Sequence, residues 1–444
     1  MVSSRLALLS AAAGAVAGML VALALGAGSR SADDPGSDPS DRVAGAVQLA
    51  TPSTSTTTTT STSTTTTVPV QFESLRGVVE AMTPEELALQ LVVTGAVGTD
   101  MEVPIQQNGG SLCLGGLFVS DTAENFGGPR PEDARAAIAR LATAAADGCD
   151  IGPLVVTDAE AGSVLRVPVT PVAAPEVFEA AYGGGDDREA LHRLGSDTLL
   201  LATELRGLGV HVNLGIVADV DADPGFYMAR TGRTFGRDPS VVSVMVGEMV
   251  AAHCHVGVAA ALKHFPNQGS TPEDPHSSLS RSVGTIDDWR SRGAVPYLDH
   301  LDAPVVLAGH IVYEDVDAGL PASLSRAIIT GLLREELGYG GVIITDELLV
   351  MNGAHAGSTL AVERAVAAIE AGADLTLWIG PDHIGEIVAA LAARIRADAI
   401  FREQVLGSVG RILRLKARFG LVDGLEATDF DLCPVGDADP FSTP

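Results

Sequence analysis

Residues 325–347 read SRAIITGLLREELGYGGVIITDE. Ile328, Ile329, Leu332, Leu333 and Leu337 recur at helical spacing, which predicts a helix over Ser325–Leu337, and the Leu337-Gly338 step is a typical helix stop. Gly341–Thr345 then forms a short, unbroken apolar run, too brief for a helix and rich in β-branched residues, which predicts a strand buried on both faces. The run ends in Thr345-Asp346-Glu347, so two carboxylates stand where the strand leaves the core.

The same unit repeats along the chain. Apolar runs ending in a polar residue occur at Gln90–Thr94, Gly116–Ser120, Leu154–Asp158, His211–Val217, Ala259–His264, Val305–Gly309, Gly341–Thr345 and Ala373–Trp378. Helical periodicity falls between most of them, at Pro131–Asp147, Arg188–Leu208, Val241–Val256, Ser325–Leu337 and Leu360–Ala371, with further glycine stops at Leu208-Gly209 and Ala371-Gly372. Eight buried strands alternating with helices predict an α/β fold, a single (β/α)8 barrel of the TIM type. A doubly wound open sheet is the competing architecture, but the glycine pattern of a dinucleotide site is missing after the first strand.

Composition narrows the function. The 444 residues carry 56 acidic and 28 basic side chains, a formal charge of −28, with no basic block. Binding to nucleic acid by phosphate neutralisation needs a clustered positive surface and is not expected. Only Lys263 and Lys416 are lysines.

The N-terminus is a separate region. Leu6–Gly28 holds no charge and is long enough, at ~1.5 Å per residue, to cross a ~30 Å hydrocarbon layer. Residues 1–30 are expected to be a signal peptide or membrane anchor; the length exceeds the apolar region of a usual cleaved signal and favours the anchor. Residues 31–70, almost wholly Ser and Thr from Thr51 onward, are expected to be a solvated linker. The folded part is expected over 71–425, followed by an acidic tail over 426–444. The chain is thus expected to be exported, either anchored facing outward or secreted, and monomeric.

In a barrel of this kind chemistry belongs at the carboxyl ends of the strands. Strand three ends in Thr157-Asp158 with Glu160 behind it, strand five in Lys263-His264, strand six in Gly309-His310 and strand seven in Thr345-Asp346-Glu347. Any single one of these is ordinarily a helix cap or a solvated charge. Four ionisable strand ends, one of them bearing a rare lysine, point to a site.

These residues carry a family resemblance. Lys263-His264-Phe265-Pro266 followed by Asp274-Pro275-His276 resembles the Lys-His-Phe-Pro-Gly-His-Gly and Asp-Ser-His motifs of glycoside hydrolase family 3 N-acetyl-β-glucosaminidases. Asp158 to Arg166, Arg233-Thr234-Phe235-Gly236, Pro321 to Ser325 and Gly341 to Asp346 are similar to that family in the same order, over about Phe72 to Leu421. The resemblance implies that Asp346 is a nucleophile and that His276, paired with Asp274, is the general acid/base. It implies that Asp158, Arg166, Arg233, Lys263 and His264 hold the hydroxyls of a terminal β-linked N-acetylglucosamine, in peptidoglycan fragments or chito-oligosaccharides. It implies no metal and no cofactor.

Residue chemistry is consistent with those roles. A retaining hydrolase needs a carboxylate on one face of the sugar and a proton donor on the other. Histidine titrates near neutrality and serves as both acid and base. Pro275 pushes Asp274 toward an extended conformation, which sets Asp274 and His276 on one side of the chain, where the carboxylate orients the imidazole and favours its protonated form.

Departures from the motifs fall on loops. Asn267-Gln268-Gly269 replaces the usual Gly-His-Gly, and Asp158-Ala159-Glu160-Ala161-Gly162-Ser163-Val164 replaces Asp-x-Glu-Gly-Gly-Arg-Val. The altered loops leave a catalytically weakened envelope scaffold that binds glycans as an alternative to the hydrolase; a family 3 β-glucosidase is a narrower alternative, and so is a phosphorylase, because a histidine acid/base leaves room for an anionic acceptor.

Two cysteine questions remain. His253-Cys254-His255 looks like a metal cluster, but on a helix residues two apart point roughly 200° apart, so no metal site is expected. Cys113 and Cys149 precede strands two and three at the same end of the barrel, so a disulfide between them is expected; a Cys254–Cys433 pair is the weaker remaining expectation.

Overall fold

A computed structural model describes residues 68–97, 113–120, 131–185, 187–351, 354–355, 357–380 and 382–424. The uncharged N-terminal segment expected to serve export, most of the Ser/Thr linker, the acidic tail and Cys433 lie outside the described residues.

Eight parallel strands close into a barrel: β1 (Val92–Val97), β2 (Gly116–Ser120), β3 (Leu154–Thr157), β4 (Val212–Val217), β5 (Ala259–Phe265), β6 (Val305–Ala308), β7 (Val342–Glu347) and β8 (Leu375–Trp378). Neighbours in sequence are neighbours in the sheet, and β8 returns to β1 with Val92 opposite Thr376. Every residue of β3 through β8 is buried, which is why these strands read as continuous apolar runs instead of alternating ones. Helices such as Pro131–Ala146, Asp187–Leu208, Pro239–Val256 and Ser358–Ala371 cover the outside. Gly209, Gly338 and Gly372 take positive φ at the helix ends, a conformation that a Cβ disfavours.

Each of the eight runs read from the sequence is a barrel strand. The first begins two residues later than expected, because Thr83 opens a capped helix over Pro84–Gln90 that takes in Gln90. The helix expected over Ser325–Leu337 is wound instead as a π-helix over Ala327–Glu336, with Leu337 N bonded to Leu332 O. Helix also begins at Val68, three residues before the boundary expected for the folded part.

The amino-terminal end of the barrel is held by polar bonds. Fully buried Lys416 donates to Gln90 Oε1 at 2.6 Å and to Leu114 O at 2.9 Å, while Gln90 Nε2 donates to Cys113 O at 2.7 Å. Burial holds the Lys416 amine well below its ordinary value. Cys113 and Cys149 are bridged there, Cα to Cα 5.5 Å, as their position before adjacent strands implied. Cys254 is also disulfide-bonded. Its neighbour His253 is buried, with Nδ1 on Met249 O and Nε2 on the Asn213 amide, while His255 is exposed.

Candidate active site

The opposite, carboxyl-terminal end of the barrel opens into a cavity of about 580 Å3. Asp158, Arg166, Arg233, Lys263, His264, Asp274, His276 and Asp346, the eight residues singled out in the sequence, all line it. They come from the loops after β3 and β4, the end of β5, the loop after β5 and the end of β7. Glu160, Ser163, Tyr227 and Glu347 line the same space.

One wall is an ionic network. Lys263 Nζ lies 2.7 Å from both Asp158 Oδ1 and Glu160 Oε1. Arg233 grips Glu160 with two bonds, Nη2 to Oε1 at 2.7 Å and Nε to Oε2 at 2.9 Å. Burial would raise the Glu160 carboxyl, but the charges of Lys263 and Arg233 outweigh it and hold the group down to about 2. A permanent anion therefore fixes two cations at the cavity wall. The backbone brings Glu160 there through a tight approach: Asn213 on β4 bonds both the N–H and the C=O of Ala159 at 2.9 Å. Gly215 makes room, since a Cβ on it would stand 2.0 Å from Ala159 O.

His264 is held from beneath. Its Nδ1 donates to Asp219 Oδ2 at 2.7 Å, and the other Asp219 oxygen accepts from Gln268 N at 2.5 Å. The substituted loop residues are knitted into this floor instead of facing the cavity. Asn267 pairs with Val220 N and O, both at 2.9 Å, and Gln268 Nε2 contacts Met228 Sδ at 3.5 Å. Ser163, the other departure, does line the cavity.

Asp274, His276 and Asp346 line the same cavity. Asp274 Oδ1 accepts from His276 N at 3.0 Å and from Nδ1 at 3.1 Å, and His276 Nε2 stands 3.8 Å from Asp346 Oδ1. Burial alone would lower the imidazole; Asp346 and Asp274 reverse this and raise it to about 10. Burial would raise Asp346, yet His276 carries it well below the usual carboxylate range. Asp346 Oδ1 also accepts from Glu347 N at 2.8 Å, whereas Oδ2 has no hydrogen-bond partner among the described residues.

Three histidines ring Asp346, and the geometry gives them different freedom. His310 is fully buried, with Nε2 donating to Glu347 O and Nδ1 on Ser323 Oγ, each at 2.8 Å. Burial pushes it down to about 4, so it stays neutral at an edge-to-face distance of 6.1 Å from His276. His264 is tied to Asp219. Only His276, 39% exposed on a loop, is both charged and accessible. Glu347 is occupied otherwise: its Oε1 accepts from Leu349 N at 2.7 Å and Ile379 N at 3.1 Å, joining the ends of β7 and β8.

Sequence reading missed Asp219 and Tyr227 altogether and mentioned Glu160 without a role. Asp219 carried a signal, since Ala218-Asp219-Val220-Asp221 places carboxylates just after β4. Tyr227 opens a single helical turn in the loop after β4 and carried none.

Comparison with known proteins fits this arrangement. The family model described as "Glycosyl hydrolase family 3 N terminal domain" matches residues 108–415. A β-hexosaminidase of Bordetella pertussis is 33% identical over 274 residues, 61% of this chain and 74% of that protein. A family 3 β-N-acetylglucosaminidase from Paenibacillus sp. is 30% identical with a TM-score of 0.67, covering 82% of this chain and 66% of the other. A β-N-acetylhexosaminidase from Beutenbergia cavernae is 27% identical with a TM-score of 0.65, covering 76% and 98%.

Proposed function

The chain belongs to glycoside hydrolase family 3 as a β-N-acetylhexosaminidase, and from that premise we propose that it removes terminal non-reducing β-linked N-acetylglucosamine by double displacement, with Asp346 as nucleophile and His276 as acid/base. The observation that carries this reading is the opposition of His276 Nε2 and Asp346 Oδ1 across the cavity, with Asp274 behind the imidazole.

In the first step an Asp346 oxygen bonds the anomeric carbon while the glycosidic bond breaks, and its electron pair takes the proton from His276 Nε2. Forming the ester removes the Asp346 charge, the largest of the influences that raise His276, so the imidazole then becomes neutral more readily. That change suits the second step, in which His276 accepts a proton from water, the oxygen of that water bonds the anomeric carbon and Asp346 leaves as carboxylate. Asp158, Lys263 and Arg233, with Arg166 and His264, bind the hydroxyls and orient the ring, and Glu160 keeps their charges in place.

The uncharged Leu6–Gly28 segment and the Thr-rich spacer support a site of action outside the membrane, with peptidoglycan fragments or chito-oligosaccharides as substrates. Turnover of an aryl N-acetyl-β-glucosaminide and the matching glucoside by the purified protein, with the product followed by NMR, tests the reading. Preference for the first substrate and release of the β-anomer are expected. A preference for the glucoside would move the assignment to a β-glucosidase, and initial α-anomer would exclude double displacement.

A further inference from the structure

The 580 Å3 cavity of the candidate site is bordered by a second, open hollow of about 550 Å3. Ser163 and Thr231 line both, so the two spaces meet at those side chains. The walls of the second hollow are tied together by backbone and side-chain bonds. Gly162 N donates to Val172 O at 3.0 Å, Gly232 N donates to Ala229 O at 2.9 Å, and Thr231 Oγ1 donates to Tyr227 O at 2.7 Å. Gly162, Ala174, Ala229 and Gly232 add little or no side chain to these walls. Glu176 and Arg230 add a carboxylate that accepts and a guanidinium that donates, the two kinds of partner a sugar hydroxyl takes.

The rim between the hollows is a place where the chain departs from its family motif. The motif carries Arg where this chain carries Ser163. Arginine would stand as a long cation over the junction, whereas serine ends one atom beyond Cβ and leaves it open.

The neighbours of the rim tell which side of the bound sugar the second hollow serves. Ser163 lies between Asp158 and Arg166 on the loop after β3, and Thr231-Gly232 immediately precede Arg233. Those three flanking residues are the ones assigned above to ring hydroxyls. Asp274, His276 and Asp346 do not line the second hollow. It therefore adjoins the hydroxyl-binding residues and not the acid/base that meets the leaving group. Under the function proposed above the first cavity takes one N-acetylglucosamine, and the second is of nearly equal volume.

We propose that Ser163 opens a subsite for a further sugar, β-linked to a hydroxyl of the N-acetylglucosamine in the catalytic cavity, so that the protein releases a disaccharide as well as a monosaccharide. The proposal rests on the reading given above to the first cavity. The chemistry is unchanged: the glycosidic bond breaks, the leaving oxygen takes a proton, and water supplies the hydroxyl of the new anomeric centre. Only the linkage that is presented moves one unit inward.

An aryl β-chitobioside tests this. A site closed beyond the terminal sugar releases N-acetylglucosamine first and leaves the aryl N-acetylglucosaminide. A site with the further subsite releases chitobiose and the aryl alcohol in one step. Early products of the wild-type protein, identified by mass spectrometry, should include chitobiose. Ser163→Arg should lower the ratio of chitobiose to N-acetylglucosamine by about tenfold or more. Ser163→Ala should keep the wild-type ratio, since the subsite depends on space and not on the hydroxyl. Ala229→Leu narrows the second hollow alone; it should lower the ratio and leave turnover of the aryl N-acetyl-β-glucosaminide unchanged, which also reports an intact fold.

Release of N-acetylglucosamine alone by the wild-type protein, or an unchanged ratio in Ser163→Arg, would overturn the subsite. Calorimetry supplies a readout that does not depend on turnover. In an Asp346→Ala background Ser163→Arg should weaken the binding of chitobiose more than that of N-acetylglucosamine, and equal changes would overturn the subsite. If the wild-type protein turns over no N-acetylglucosaminide, the functional reading fails, and the binding comparison decides the subsite by itself.

Discussion

His276 Nε2 stands 3.8 Å from Asp346 Oδ1, an ion pair formed at the cavity in the barrel mouth. Retaining enzymes that use two carboxyl groups separate them by about 5–5.5 Å. By that measure the His276–Asp346 pair must part by roughly 1.5 Å to admit a sugar. In the proposed reaction, substrate entry breaks this partly buried charge pair, and hydroxyl contacts at the Lys263–Glu160–Arg233 wall would offset that cost. In the same proposal the pair stores the proton where the first step uses it.

The two reacting residues should fail differently. Asp346→Ala removes the covalent route and should lower kcat on any leaving group by on the order of 10^4 or more. His276→Ala should spare substrates with good leaving groups in the first step and then accumulate glycosyl-enzyme. Azide, which attacks the ester without base assistance, should restore turnover and yield a β-glycosyl azide. Full activity in Asp346→Ala, or no azide product from His276→Ala, would discard these roles.

Asp274→Ala should move the alkaline limb of kcat/KM to lower pH. The imidazolium is held up to about 10 by Asp346 and Asp274 against the effect of burial. Loss of one carboxylate brings its value back toward that of free imidazole, so the protonated form needed for the first step disappears earlier as pH rises. An unshifted limb would show that Asp274 does not act on His276.

Glu160→Gln should be costly although Glu160 performs no chemistry. The variant leaves Arg233 without its two-bond partner and Lys263 with Asp158 alone, both in a buried wall. A stability loss of about 3–5 kcal/mol is expected in denaturant titration. A fall in kcat/KM of about 10^2 is expected from displaced hydroxyl contacts. Wild-type stability in this variant would show that the network is dispensable.

Asp221 gives a stability effect of the opposite sign. Its carboxyl is buried, with Oδ2 accepting from Thr234 at 2.5 Å and Oδ1 without a hydrogen-bond partner among the described residues. Burial raises it to about 7, the Thr234 bond opposes this, and the nearby Asp219 and Glu179 charges add to it. The folded protein therefore holds a proton that the unfolded chain releases near pH 4, and stability falls as pH rises from there to about 7. Asp221→Asn should be more stable than wild type above pH 7 by about 1–2 kcal/mol, after the cost of a buried amide. The difference should vanish below pH 4. Thermal melts at pH 4 and pH 8 check both ends, and equal melting temperatures at pH 8 would contradict the assignment.

The chain alone determined the barrel, because strand burial and helix amphipathicity are local properties written as run length and spacing. Gly341–Thr345 and its seven counterparts are predominantly apolar since each strand is covered on both faces. The same local reading located Asp158, Lys263, His264 and Asp346, which stand at or just after strand ends, where the fold delivers chemistry. Only the tertiary structure decided what those groups do to one another. Glu160 meets Arg233 from 73 residues away, and Asp158 meets Lys263 from 105, because neighbouring loops converge over the barrel mouth. Likewise His276 and His310 look alike in sequence, but one is half-buried and paired with Asp346 while the other is sealed against Ser323 and Glu347 O. Charge state follows burial and distance to other charges, and neither is set by spacing along the chain.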